Sequence, residues 1–353
     1  MKKPQIFAIT AVVAIALIAT CVVVNENSDS LFPTTPTIDT QVLDQGTLEV
    51  IFLDVGQADS ILLKTGTHTM LIDAGNIGQD QLMLNYLSTY EVTSLDYLVA
   101  THPHADHIGA MTAVVNKMDN IDTIIMPDKT HTIQAYKNLI TAIDAKDITV
   151  NIAEPGQNFT MGNANIQVIA PNYIYSDLNE CSVVLRVEFG ETVFLFTGDA
   201  DTKSENDQIT NGLSLDADVL KVGHHGSRTS SSKNYLDIVT PTYAVISCGA
   251  GNTYNHPHQE AMTRLIATGA TIYRTDENGT IIFTTDGKTI TVTVEKDTPT
   301  PTEEGTIYIG NKNSKIFHLP TCHSLPIETN RIYFNSRQEA IDAGYTPCGT
   351  CKP

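Results

Sequence analysis

The chain has 353 residues, 41% of them hydrophobic, and a formal net charge of -19. That length and apolar content predict a full core in one large domain or two. The acidity works against the phosphate-neutralising attraction behind non-specific nucleic-acid binding; it leaves room for a local metal-centred phosphodiester site, and serves equally as a solubility feature.

Lys2 and Lys3 precede an uncharged apolar run from Ile6 to Val24. The run is long enough for a marginal membrane span and fits a signal peptide equally well, so residues 1–24 are expected to be one or the other. The basic start, with Glu26 and Asp29 beyond it, directs the rest of the chain outward by the positive-inside rule. An extracytoplasmic protein, membrane-anchored or secreted, is expected. Ile18-Ala-Thr-Cys21 carries a faint lipoprotein pattern, so lipidation at Cys21 stays open beside an uncleaved anchor and a cleaved signal. Residues 25–46, with Pro33, Pro36 and several threonines, read as a flexible tether.

From residue 47 to 296, short β-branched runs alternate with helix-like ones. Strands are predicted over Leu48–Asp54, Ser60–Lys64, Thr69–Ile72, Leu95–Thr101, Asp122–Met126, Ser182–Glu188, Thr192–Phe196, Asp218–Val222, Tyr243–Ser247, Thr271–Arg274, Thr280–Thr284 and Thr289–Val294. Helices are predicted over Gln79–Tyr90 and Ile133–Ala145, and Gly109 opens another helix-like segment. Many strands with interspersed helices predict a layered α/β architecture. Residues 297–304 form a second Pro/Thr linker, and a small module fills 305–353.

The strand before residue 102 stops at His102-Pro103. His102, His104, Asp106 and His107 follow within six positions. In an extended loop His102 and His104 point to one side, while Asp106 and His107 fall where the chain turns into the helix and face a second point. This gives His102 and His104 to one metal and Asp106 and His107 to a second, with zinc, manganese or iron suited to such donors. Asp199 follows a Gly turn at a strand end, where a carboxylate can bridge two ions. Asp73, in Leu71-Ile-Asp-Ala-Gly75, also ends a strand. Asp54 and Asp59 sit on an adjacent turn. His224-His225-Gly-Ser227 follows the strand at 218–222.

Thr101-His-Pro-His-Ala-Asp-His-Ile-Gly109 resembles the metal-binding signature of the metallo-β-lactamase superfamily. Leu53-Asp-Val-Gly-Gln-Ala-Asp-Ser60, Leu71–Gly75, Phe196-Thr-Gly-Asp199, Asp218–Ser227 and Asn252-Thr-Tyr-Asn-His-Pro257 narrow the resemblance to the hydrolase domain of the ComEC competence proteins. The resemblance implies an αβ/βα sandwich with the metal site at one edge, between two sheets. It implies that Asp199 bridges the ions, and His256 matches the last metal ligand by order along the chain. His224 and His225 are expected beside the metals, holding a phosphate or donating a proton, and direct ligation by one of them stays open. Ser227, Ser230, Arg228 and the backbone N–H groups after Gly226 can hold an oxyanion. Asp73 is expected to support the histidine loop, with Asp54 and Asp59 doing likewise. One departure stands out. Most of the superfamily has another histidine before the 182–188 strand, where this chain reads Leu178-Asn-Glu-Cys-Ser182. The first metal then has two imidazoles plus bridging groups, and one working ion or two stays open.

In the terminal module Cys348-x-x-Cys351 is a knuckle pattern, and His318-x-x-x-Cys322 supplies two further donors. Together they predict a closed structural zinc site, with His323 a rival for the imidazole and a Cys348–Cys351 disulfide or free thiols as alternatives. About fifty residues bury too little to hold together without such a staple. Phe334–Cys348 resembles the N-terminal zinc-binding domain of the Ada DNA-repair proteins. His318 stands where that family has its methyl-accepting cysteine, so methyl transfer is not expected. Mild positive charge permits DNA contact.

Three functions compete. The first is an extracytoplasmic metal-dependent phosphodiesterase or nuclease acting on DNA, with Asp106, His224 and His225 at the reacting centre. The second is hydrolysis of an ester, lactone or β-lactam at the same site. The third is a non-catalytic surface protein that binds metal or DNA.

Overall fold

The computed structural model describes residues 46–296, 307–320, 322–334 and 337–351. The apolar N-terminal segment with Cys21, nearly all of the first expected linker and the second linker lie outside the described residues. Among the described residues no helix is long and apolar enough to cross a membrane.

The chain enters a first sheet through β1 (Leu48–Phe52), β2 (Ile61–Thr65), β3 (His68–Ile72), β4 (Ser94–Val99), β5 (Asn120–Met126) and β6 (Thr149–Ile152). It then builds a second sheet from β7 (Asn158–Met161), β8 (Ala164–Ala170), β9 (Val184–Phe189), β10 (Thr192–Phe196), β11 (Val219–Lys221), β12 (Tyr243–Ile246) and β13 (Thr271–Arg274). Two last strands, β14 (Ile281–Thr285) and β15 (Ile290–Val294), return to the first sheet. The orders are β15-β14-β1-β2-β3-β4-β5-β6 and β13-β12-β11-β10-β9-β8-β7. Each sheet is antiparallel in its hairpins and parallel where helices intervene: β3 to β6 in the first, β10 to β13 in the second.

Period-2 alternation in β1 shows how the layers arise. Leu48, Val50 and Phe52 point between the sheets, into a core with Phe194, Phe196 and Phe283. Ile51 and Leu53 point the other way, into a core under the helices. That outer core is closed by Met83 and Leu87 of α1 (Asp80–Thr89), Val114 and Val115 of α3 (Met111–Lys117), and Leu139 and Ile143 of α4 (Gln134–Ala145). Between α1 and α3 lies the single turn α2 (Ala105–Ile108). On the far side of the second sheet, Leu195, Leu220 and Ile246 pack with Tyr235, Leu236 and Val239 of α6 (Lys233–Val239) and Leu265 of α7 (Gln259–Thr268). Helix, sheet, sheet, helix is the sandwich expected from the sequence. Each fully buried aliphatic or aromatic side chain adds about 1.5–3 kcal/mol.

The structure adds elements that the sequence reading lacked. β6 and β7 are edge strands with largely exposed side chains and no clean alternation. The helix α5 (Thr202–Asn211) buries Ser204, Glu205 and Gln208 rather than an apolar stripe, so hydrophobic periodicity does not reveal it. After β13 comes one turn of helix, α8 (Thr275–Asn278).

The terminal module is a four-stranded sheet of β16 (Tyr308–Asn311), β17 (Ile316–His318), β18 (Arg331–Phe334) and β19 (Thr346–Pro347), ordered β18-β16-β17-β19, with α9 (Arg337–Asp342). Its buried apolar cluster is Phe317, Phe334, Ala340 and Tyr345.

Candidate metal centre

Parallel strands β3 and β4 end side by side, and the loops leaving them carry Asp73 and the histidine loop. Asp73 sits at φ 57, a left-handed conformation unusual for its residue type. Its carboxylate accepts from the Thr101 backbone N–H at 2.8 Å and the Thr101 hydroxyl at 2.7 Å. The same carboxylate lies 2.7 Å from His107 Nδ1. With Nδ1 so engaged, Nε2 of His107 turns inward, 3.3 Å from Asp199 Oδ1. An acceptor on the far nitrogen fixes ring orientation in this way in metal-ligating histidines.

The second sheet supplies the opposite wall. β10 ends in Thr197-Gly198-Asp199. A side chain at Gly198 (φ 50) would meet Thr101 and Ser182 at 3.0 and 3.1 Å, so glycine lets the turn present Asp199 to the histidine loop. After β11, His224 and His225 both adopt positive φ, 49 and 52. His225 Nδ1 donates to the Ser247 carbonyl at 3.0 Å, and Asp59 Oδ1 lies 3.2 Å from the same nitrogen. His225 Nε2 is left facing Asp106 Oδ2 at 3.3 Å and Asp199 Oδ2 at 3.6 Å.

Ligand atoms of Asp106, His107, Asp199 and His225 therefore lie within 4.8 Å of one another. Beside them, His102 Nε2 is 2.9 Å from His104 Nδ1 and 3.9 Å from Asp199 Oδ2. Asp199 thus stands between two donor sets. His107 Nε2, His225 Nε2 and Asp199 Oδ1 are buried without a hydrogen-bond partner. Such orphaned polar atoms are costly unless something else engages them, and a divalent cation suits this mixed imidazole and carboxylate set.

The charges point the same way. Burial opposes ionisation of Asp199, yet the charges of His107 and His225 hold its carboxyl well below the ordinary range. Burial likewise opposes a charge on His107 and His225; Asp199 overrides it, with Asp73 for the first and Asp59 for the second. The His107 ring is raised well above its ordinary value, and His225 is pushed up to about 10. His102, buried with His107 close by, is lowered well below its ordinary value. Buried carboxylates here attract positive charge, which a proton or a metal ion provides. His107 and His225 would hold such an ion through these Nε2 atoms in place of a proton.

Several expected residues sit elsewhere. The Asp54 carboxylate pairs with Lys296 at 3.0 Å and accepts from the Gly56 backbone N–H at 3.3 Å rather than meeting the histidine loop. Asp59, expected to act likewise, is buried against His225 and 2.7 Å from the buried Lys221 ammonium. His256 is outside the four-ligand group. Its ring lies 6.2 Å from that of His225 at 28° and its Nδ1 is 3.5 Å from Gln57 Nε2. Ser227 and Arg228 do not line the cleft: the Ser227 hydroxyl bonds Thr229 at 2.8 Å, and Arg228 pairs with Glu260 at 3.3 Å. His224 does line it, with Nδ1 3.0 Å from Asp201 Oδ1 and Nε2 3.8 Å from Asp199 Oδ2. The cleft holds about 300 Å³, and Gln57, Asn179 and Tyr254 line it as well. Asn179, in the loop where most of the superfamily has a histidine, has a buried and unpartnered Oδ1. Gln57 and Lys221 lie inside motifs read in the sequence without a role given to them, and Asp201 follows one.

In the terminal module His318, Cys322, Cys348 and Cys351 offer ligand atoms within 4.8 Å of one another. His318 Nδ1 is 3.3 Å from Cys322 Sγ. Backbone N–H groups of Leu319 and Thr350 point at the sulfurs of Cys351 and Cys348, both at 3.4 Å. Amides around Cys348 lower its thiol to about 7, which favours the thiolate a metal needs. No disulfide joins Cys348 and Cys351, and His323 is not in the group.

Comparison with known proteins agrees with both regions. Residues 53–250 match the metallo-beta-lactamase superfamily, and residues 292–353 match the metal binding domain of Ada. ComE operon protein 3 of Bacillus subtilis is 27% identical over 67% of this chain and 33% of its own length. Competence protein ComA of Neisseria gonorrhoeae is 34% identical over 65% of this chain and 31% of its own. The chain thus spans about a third of the length of these relatives. A solved structure, the metallo-beta-lactamase fold protein YhfI from Bacillus subtilis, superposes with a TM-score of 0.43 at 16% identity, covering 65% of this chain and 96% of that one. The chain belongs to the metallo-beta-lactamase superfamily, as a ComEC-like metal-dependent hydrolase with an Ada-like metal-binding module.

Proposed function

We propose that this hydrolase cleaves phosphodiesters, and that its substrate is DNA met on the outer side of the membrane. The position of Asp199 carries the reading. One oxygen lies 3.3 Å from His107; the other lies 3.6 Å from His225 and 3.9 Å from His102. A carboxylate spanning two donor sets frames a two-ion centre, which suits in-line displacement at phosphorus. Bound ions supply positive charge there and make hydroxide available at neutral pH. His102, His104, Asp106, His107, Asp199 and His225 would hold them.

The remaining work falls to the chain itself. Water gives up one proton to solvent as its oxygen forms the new P–O bond, the bond to the leaving alcohol breaks, and the leaving oxygen takes a proton. His224 is placed to give it. Asp201 holds its Nδ1 at 3.0 Å, and the Thr229 hydroxyl, donating to the same carboxylate at 2.6 Å, keeps Asp201 in place. That leaves His224 Nε2 facing the cleft. Relatives named for competence and recombination support DNA as the substrate. The basic and apolar N-terminal pattern supports export, by anchor or signal.

The test strips the protein of metal and reloads it with zinc or manganese. Bis-p-nitrophenyl phosphate, single- and double-stranded DNA and a chromogenic β-lactam are then assayed, with Asp106→Ala as control. Metal-dependent phosphodiester turnover lost in the variant is expected. Turnover of the lactam alone would move the site to ester or lactam chemistry. Silence on every substrate with metal bound would make it a binding protein.

A further inference from the structure

Tyr254 stands at the open side of the cleft, 61% exposed. Its ring lies 5.7 Å from that of His256 at 24°. The His256 ring lies 6.2 Å from that of His225 at 28°. Three rings at shallow angles thus run from solvent to the four-ligand group.

An exposed tyrosine on a loop is unremarkable when the loop is loose. This loop is pinned by one side chain. Asn252 Oδ1 accepts from the backbone N–H groups of Tyr254 at 3.1 Å and His256 at 3.0 Å. Its amide Nδ2 donates to the carbonyls of Gly249 at 2.9 Å and His256 at 2.6 Å. The Gly249 N–H in turn donates to Gln57 Oε1 at 3.1 Å, tying the loop to the turn after β1. The aromatic face is therefore offered to solvent already ordered, so a ligand that stacks on it loses little freedom of the protein.

We propose that Tyr254 is a stacking platform for a nucleobase next to the scissile phosphate, and that it makes the site selective for single-stranded DNA. This rests on the phosphodiester reading above. A base in a duplex is already stacked and paired, whereas a single strand presents free faces. Every base has such a face, so the platform carries no sequence preference. The charge of the chain opposes DNA, so affinity has to come from contacts such as this one. At -19 it lacks the general phosphate-neutralising attraction on which most nucleic-acid binding depends. Stacking supplies affinity without a basic groove.

The test uses the metal-loaded full chain and a short single strand, with one abasic position walked along it, beside the matched duplex. Bis-p-nitrophenyl phosphate reports separately on the phosphodiester reading. In the wild type the abasic position nearest the cut is expected to raise KM about 10-fold, as removal of one stacked base does. Tyr254→Ala should erase that difference between intact and abasic strands, and Tyr254→Phe should keep it. Equal KM for intact and abasic strands, a duplex cut as readily as the single strand, or a penalty that survives in Tyr254→Ala would overturn the platform. Turnover of bis-p-nitrophenyl phosphate with no cleavage of the strand rejects the platform and leaves the phosphodiester reading standing. No turnover of either rejects both.

Discussion

The hydrolase centre takes its donors from loops of two sheets, with Asp106 and His107 after the first sheet's β4 and Asp199 and His225 after strands of the second. The terminal site takes its four from one small sheet and the knuckle after it, and three of the four are thiols. The first has mixed carboxylate and imidazole donors, a neighbouring histidine pair and an open cleft beside it. The second has four soft or borderline donors and nothing further to offer, which is the pattern of a structural zinc. The folds around them differ in the same sense. Three large apolar clusters support the hydrolase centre with or without an ion, whereas the module has Phe317, Phe334, Ala340, Tyr345 and little else.

Removing a ligand from each region should therefore break different things. Cys348→Ser in the module is expected to have the largest effect. Structural zinc in small domains contributes on the order of 10 kcal/mol of folding free energy, so the module should melt while the hydrolase domain keeps its own transition. Calorimetry of the variant checks this; a single cooperative transition shifted as a whole would show that the regions fold together. Asp199→Asn should do the reverse. Phosphodiester turnover should drop on the order of 10³-fold or more, with the module's zinc retained.

Smaller substitutions probe the support around the open site. Asp59→Asn leaves the Lys221 ammonium buried without its carboxylate, which should cost about 3–5 kcal/mol in urea unfolding. Asp73→Asn keeps the side chain's shape but weakens its hold on His107, and metal affinity or activity should fall about 10–100-fold. The smallest effect concerns Glu205, which accepts from the backbone N–H groups of Ser231 and Ser232 in the loop after the His224–His225 turn. Burial pushes its carboxyl up to about 7. The folded protein then keeps a proton that the unfolded chain releases above the ordinary carboxyl range. Stability should decline as pH rises from there towards 7, and Glu205→Gln should flatten that decline in urea titrations at several pH values.

Much of this was legible in the residues. Strand after strand of the two sheets shows in β-branched runs, because burial on one face or both leaves an apolar imprint. The loop at 102–107 announces a metal because four donors at that spacing have few other uses. Elements whose burial is polar or partial left no imprint: α5 buries Ser204, Glu205 and Gln208, and β6 and β7 lie at sheet edges, whereas β8, α6 and α7 bury apolar side chains and were passed over all the same. The site itself depends on contacts that cross the chain. Asp54 and Asp59 share one turn in sequence, and only the fold shows that Asp59 meets Lys221 and His225 while Asp54 meets Lys296. Ser227 and Arg228 sit in a motif rich in donors, yet the turn directs them to Thr229 and Glu260. His256 looks like a ligand by its order along the chain; in the fold it lines the cleft with His224 and Asp199, outside the four-residue group that includes His225.

The most direct test of two independent metal regions is metal content measured with turnover of bis-p-nitrophenyl phosphate in wild type, Asp199→Asn and Cys348→Ser. If the regions are independent, Asp199→Asn loses the hydrolase metal and the activity but keeps one zinc, and Cys348→Ser loses that zinc and keeps the activity. Turnover that survives in Asp199→Asn, or that disappears with the module's zinc, would contradict this.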